Sequence, residues 1–214
     1  MTRPVQTPAK PPTKRGLARQ QKILEVAEQC FLTQGYAGTS VNEIVKLAGG
    51  SLGTLYRVFG NKLGLFEQVF KNKTELLFSP FTQESFGTED LNATLHHFGK
   101  TLQRIALSPN GIAYYRLVVT ENNVDQSEIQ RIFYTLGPQT AIRVLANYLQ
   151  KQIALGKLHG TLNTELAAAQ FLDMIKGPFL YRALFGETIQ ETELDLALSQ
   201  GIQLFLHGAQ VNNT

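Results

Sequence analysis

Residues 48–60 read AGGSLGTLYRVFG, and two folds compete for them. Gly49, Ser51 and Gly53 fit G-x-S-x-G, the spacing of a hydrolase nucleophile elbow, in which a serine stands on a sharp turn between a buried strand and a helix. The same letters fit the turn and second helix of a helix-turn-helix, with Ser51 as an N-cap. The preceding run, TSVNEIVKLA, decides between them. Val41, Ile44, Val45 and Ala48 recur at helical spacing, and Ser40 with Glu43 forms S-x-x-E, the pattern of a capping box. Gly49-Gly50 then ends that helix at low cost, because glycine accepts left-handed backbone angles. Ser51 falls where the next helix needs a cap. In that helix Leu55 and Phe59 point inward at i,i+4, leaving Gly53, Thr54, Tyr56 and Arg57 on the outer face. A glycine so early in a helix costs up to about 1 kcal/mol of propensity, which is tolerable where bare backbone must approach a phosphate.

The rest of the chain reads as helix too. Residues 15–35 place Ile23, Ala27, Cys30, Phe31 and Gln34 on one face and stop at Gly35. Further helices are predicted over 41–48, 52–58, 62–78, 90–107, 127–136, 138–155, 164–185 and 190–208, and one more begins at Ser108-Pro109, a cap followed by a first-turn proline. SPFTQESFGTED, 79–90, reads as a loop. Gly177-Pro178 should kink the helix over 164–185. The fold class is therefore all-α, with a small helix-turn-helix domain over 15–66 ahead of a larger helical domain over 67–214.

Charge and composition limit the function. The 214 residues carry a net +3 and are 43% hydrophobic, ordinary for a globular protein. Residues 1–78 hold 11 Lys/Arg against 5 Asp/Glu, whereas residues 79–214 hold 9 against 12. Arg3, Lys10, Lys14, Arg15, Arg19 and Lys22 all precede the first acid, Glu25, so the front half is suited to a polyanion. Residues 1–14 form a basic arm rich in proline, expected to be flexible. The most apolar window, 166–186, is broken by Asp173, Lys176 and Arg182, so no membrane partner is expected. The single cysteine, Cys30, excludes an internal disulfide and suits a reducing cytoplasm. His96, His97, His159 and His207 lack metal-ligand spacing, and neither a metal nor another cofactor is expected.

ILEVAEQCFLTQGYAGTSVNEIVKLAG at 23–49 and GTLYRVFGNKLGLF at 53–66 resemble the DNA-binding domain of TetR-family transcriptional regulators. The shared positions include Phe31, Gly35, Tyr36, Ile44, Ala48, Leu55, Phe59 and Leu65. YYRLVV, FYTLGP and the 166–186 stretch resemble the AcrR/AefR-like C-terminal region. Three departures stand out: Gly50 replaces a usual Val, Leu52 a common Lys or Arg, and Val58 a frequent His or Tyr. The resemblance implies that Thr39, Thr54, Tyr56 and Lys62 contact phosphates, with Ser40 and Ser51 at the same interface. Arg57, beside Leu52 and Gly53, is the candidate to read base edges, since a guanidinium can pair bidentately with guanine and a leucine can meet a thymine methyl. It implies a homodimer on a near-palindromic double-stranded operator, a repressor rather than an enzyme, released by a small, largely apolar effector. The candidate pocket residues are Phe98, Leu102, Tyr114, Tyr115, Leu117, Met174 and Phe179. The candidate dimer face is the stripe Leu194, Ala197, Leu198, Gly201, Ile202 and Phe205.

Overall fold

The computed structural model describes residues 13–81 and 90–209. Most of the arm and the middle of the loop over 79–90 lie outside the described residues. All regular elements among the described residues are helical. The chain divides into two compact units, one ending at Val69 and the other beginning at Phe70.

The first unit contains α1 (Lys14–Gly38), α2 (Val41–Ala48), α3 (Leu52–Phe59) and the start of α4 (Lys62–Phe78). Helix α1 opens on Thr13, whose Oγ1 accepts from the Gly16 amide at 3.2 Å. Its regular course breaks at Gly35, where φ is 73°, so the stop read from the sequence is a real break with one more turn beyond it. Ile23, Ala27, Cys30 and Phe31 are buried, as their spacing predicts, while Gln34 is exposed. The Cys30 thiol is held above its usual pKa by burial first and by Glu43 second. The core is finished by an aromatic wedge. Phe31 stacks on Tyr36 at 5.7 Å, and both meet the edge of Phe66 from α4. Ile44, Leu55 and Leu65 are fully buried beside them, each contributing about 1.5–3 kcal/mol by leaving water.

The second unit contains the rest of α4, then α5 (Leu91–Ala106), α6 (Pro109–Thr120), α7 (Gln126–Leu136), α8 (Pro138–Ala154), α9 (Thr164–Leu184) and α10 (Glu191–Ala209). Asp90, Ser108 and Asn163 cap α5, α6 and α9 through side-chain oxygens that accept amides of the first turn. Ser108 with Pro109 at the first helical position follows the sequence expectation. Helix α9 continues through Pro178. At its C-terminal end Arg116 of α6 donates to the Leu184 carbonyl at 2.7 Å and to that of Ala183 at 3.3 Å, satisfying acceptors that a helix end leaves open.

Helices α5, α9 and α10 share one apolar core, with Phe98, Phe171, Ile175 and Leu198 at its centre. Part of the stripe expected at a dimer face contributes to this core. Leu198, Ile202 and Phe205 are buried within the chain itself, Phe205 with its ring 5.3 Å from that of Phe171. Gly201 does allow close approach, but to a helix of its own chain: a Cβ there would lie 3.1 Å from Ile175. Ala197 and Leu194 are half-buried. An apolar stripe records only that a face is covered, and here the cover is intramolecular.

Helix α5 packs closely through Gly99, where a Cβ would stand 2.5 Å from Leu198 Cδ1 and 3.2 Å from Ile175 Cδ1. Replacing Gly99 by alanine should destabilise the protein by about 1–3 kcal/mol, despite alanine's better helix propensity, because the surrounding core must shift. A lower midpoint in urea unfolding with an unchanged m-value is the expected result.

Candidate nucleic-acid interface

The connection between α2 and α3 positions the site. Gly49 takes a left-handed conformation, φ 69° and ψ 33°, and its amide donates to the Val45 carbonyl, closing α2. Gly50 follows, packed so that a Cβ would touch Ile23 at 3.5 Å. Ser51 then caps α3: its Oγ accepts from the Thr54 amide at 3.3 Å and lies 3.0 Å from Thr54 Oγ1. The segment before Gly49 is helix, not strand, so the geometry of a nucleophile elbow is absent at Ser51.

The predicted capping box does not form. Ser40 occupies the N-cap position of α2 but makes no side-chain cap. Glu43, its expected counterpart, instead accepts from Gln34 Nε2 at 3.2 Å and ties α2 to α1. Ser40 is thereby left exposed.

Helix α3 is short, and its two faces are clearly divided. Leu55 is fully buried and Phe59 half-buried. Gly53, Tyr56 and Arg57 are exposed, with Leu52 and Thr54 half-exposed beside them. No atom outside its own neighbourhood lies within 4 Å of where a Gly53 Cβ would be, so nothing in the chain requires glycine there. That fits a site kept bare for an external partner.

Lys62 opens α4. Its Nζ donates to the Ala37 carbonyl at 3.2 Å and sits 4.6 Å from the centroid of the Tyr36 ring, a cation–π arrangement. The side chain is therefore held beside the end of α1 with its charge partly outward. Asn61, which the sequence reading passed over, caps α4: its Oδ1 accepts from the Gly64 amide at 2.7 Å. The N-x-x-G spacing was a usable signal.

Thr39 is a correction. It is 3% exposed, and its hydroxyl donates to the Gly35 carbonyl at 2.7 Å. The hydrogen a phosphate would need is already used to brace the break in α1, so Thr39 is a structural residue in this conformation. The structure thus brings Ser40, Ser51, Leu52, Gly53, Thr54, Tyr56, Arg57 and Lys62 into the first unit's α2–α4 region and withdraws Thr39 from its surface. Lys14, Arg15, Arg19 and Lys22 on the first turns of α1 are exposed as well.

The predicted effector residues fall into separate groups. Phe98 is fully buried with its ring 4.8 Å from that of Phe81, and Leu102 and Met174 pack against the same core. Tyr114 and Tyr115 belong to an aromatic cluster with Phe70 and Phe133, at ring separations of 5.1 to 5.4 Å. Burial, and secondarily Asp173, raises the Tyr115 pKa. Leu117 is buried, and Phe179 lies under the Arg182 guanidinium.

Two family models match the chain. Residues 23–69 match the bacterial regulatory proteins of the tetR family, and residues 93–208 match the C-terminal domain of AefR-like transcriptional repressors. The chain belongs to the TetR family. It is a DNA-binding transcriptional regulator of the helix-turn-helix type. No curated protein matches its sequence. Among solved structures, this TetR-family chain is similar to the flavonoid-responsive regulator FrrA, at 28% identity and a TM-score of 0.74, over 90% of this chain and 97% of that one. A TetR-family regulator from Mesorhizobium loti shares its fold at 22% identity and a TM-score of 0.80, over 93% of this chain and 100% of that one. The regulator FadR from Bacillus subtilis, solved in complex with stearoyl-CoA, shares the fold at 18% identity and a TM-score of 0.67, over 88% and 98%.

Replacing Ser51 by alanine removes the cap of α3 without touching the core. It should lower stability by about 1 kcal/mol, read by urea unfolding. A change far below that would show that the cap does not hold α3.

Proposed function

We propose that this regulator is a homodimeric repressor that binds a near-palindromic operator and leaves it when a small, largely apolar effector binds the C-terminal domain. The observation that carries the DNA-binding part is the outer face of α3, where Gly53, Tyr56 and Arg57 are exposed on a helix capped at Ser51. In this reading Tyr56, Thr54, Ser40, Ser51 and Lys62 hold phosphates and fix register, while Arg57 and Leu52 meet base edges. In a dimer, two such helices enter successive major grooves about 34–36 Å apart. The division of labour is a DNA-binding domain over 15–66, an effector and dimerisation domain over 67–214, and a basic arm over 1–14. Ser51 acts as a cap, and the protein is not an enzyme.

The proposed dimer face is the solvent-facing side of α9 and α10. Tyr181 and Phe185 on and just after α9, with Leu196 and Leu204 on α10, are large apolar residues open to solvent, Phe185 at 85% exposure. Solvent-facing apolar side chains at the ends of long paired helices are suited to a self-complementary interface. In this reading Phe98, Leu102, Tyr114, Tyr115, Leu117, Met174 and Phe179 of α5, α6 and α9 line the effector site. The reading is supported by the likeness, at 28% identity, to FrrA, a flavonoid-responsive regulator. An effector releases DNA only through different affinities for the two protein states, typically ~1–3 kcal/mol of coupling. No helix among the described residues is long and apolar enough to cross a membrane, and the proposed site of action is the cytoplasm.

Binding to the DNA upstream of its own gene, measured over a salt series, tests the central claim. Affinity should fall steeply with salt, and Arg57→Ala should weaken specific binding by about 1–3 kcal/mol while leaving the non-specific slope nearly intact. A flat salt response would sink the reading. Light scattering of the Leu196→Asp/Leu204→Asp variant should report a monomer where the parent is a dimer, with helical content unchanged by circular dichroism. A dimer that survives both charges would place the interface elsewhere.

A further inference from the structure

A cleft of about 200 Å³ opens where the C-terminal half of α5 meets the beginning of α10. It is smaller than the ~300 Å³ at which drug-sized sites begin. None of the proposed effector residues lines it. Its polar wall is a row of paired charges. Lys100 and Arg104, one turn apart on α5, both reach the Glu191 carboxylate, at 3.0 and 3.2 Å, and Lys100 also bonds Asp195. Those bonds, Asp195 first, raise the Lys100 pKa, and the Lys100 and Arg104 bonds hold that of Glu191 below the usual range. Lys100 is thus doubly held and mostly covered, whereas Arg104 and Glu191 stand at the rim, more than half exposed.

Gln103 lies between these cations on α5 and is fully buried. Its Nε2 donates to the Ile175 carbonyl at 2.8 Å and to the Leu194 carbonyl at 3.0 Å, linking α5 to α9 and α10. Because both partners are acceptors, the amide can point only this way, and its Oε1 accepts no hydrogen bond. A buried carbonyl oxygen without a donor is costly, so a donor from a ligand would be well received. Leu107, Ile189 and Leu194 supply an apolar wall.

We propose that this cleft binds a free α-amino acid with an apolar side chain. Its carboxylate would take the Arg104 guanidinium and the Lys100 ammonium. Its own ammonium would take the Glu191 carboxylate. The side chain would lie against Leu107, Ile189 and Leu194. Charge balance selects this class. A simple anion must displace Glu191 from its cations and leave that carboxylate unpaired, and a simple cation must do the same to Arg104. A zwitterion enters the rim pair and leaves every charge matched. The volume suits a molecule of leucine or phenylalanine size.

Calorimetric titration of the full chain tests this without DNA, so its outcome is separate from that of the operator reading. L-Leucine should bind once per chain. 4-Methylpentanoate, which lacks the amine, and 3-methylbutylamine, which lacks the carboxylate, should each bind at least about tenfold more weakly. Arg104→Ala and Glu191→Gln should each weaken leucine binding by about tenfold or more. Both positions are exposed, and the thermal midpoint of each variant reports whether its fold is intact. Absence of saturable binding by both leucine and phenylalanine overturns the proposal. So does equal binding of the single-charge analogues, or undiminished binding by a folded Arg104→Ala protein.

Discussion

The exposed surface of α3 depends on how one turn is closed. Gly49 takes the left-handed conformation that ends α2, and two residues later the Ser51 hydroxyl accepts an amide at the start of α3. Between them Gly50 lies against Ile23, so the turn is packed onto α1 as well as hydrogen-bonded. With the ends of both helices satisfied locally, Leu55 can be committed entirely to the core. Tyr56 and Arg57, the next two residues, are then turned outward by helical geometry alone.

The aromatic wedge of Phe31, Tyr36 and Phe66 gives that turn a rigid base. It also explains two placements that spacing could not foresee. Thr39 is drawn inward to brace the break at Gly35, and Lys62 is held over the Tyr36 ring beside the Ala37 carbonyl. A lysine fixed in this way loses less side-chain freedom on meeting a phosphate than one waving in solvent. The same packing therefore takes one phosphate candidate away and pre-organises another.

In the second unit the central polar residue is Gln103, whose amide holds carbonyls of both α9 and α10. The Ile175 carbonyl lies in the turn that precedes Pro178. Arg182 makes a parallel connection on the other side of the α9–α10 junction, bonding Glu187 and, at 2.8 Å, Glu193. The start of α10 is thus held from α5 and from α9 by separate sets of charges, at a surface where salt will screen them.

The sequence by itself determined the helices, their caps at Ser51 and Ser108, and the division of α3 into an inner and an outer face. These are local properties, set by side-chain periodicity and by residues within four positions of one another. It also carried enough of the family pattern to identify the DNA-binding domain. Only the tertiary structure decided what covers each apolar face. Leu198, Ile202 and Phe205 form a stripe that reads the same whether a partner or the chain's own α5 and α9 lies against it, and here it is the chain's own. The failed capping box has the same origin, since Gln34 is nine residues from Glu43 and reaches it only because α1 and α2 pack together. So does the charged cleft, whose walls come from residues about ninety positions apart. Periodicity specifies that a residue is buried; long-range packing specifies against what.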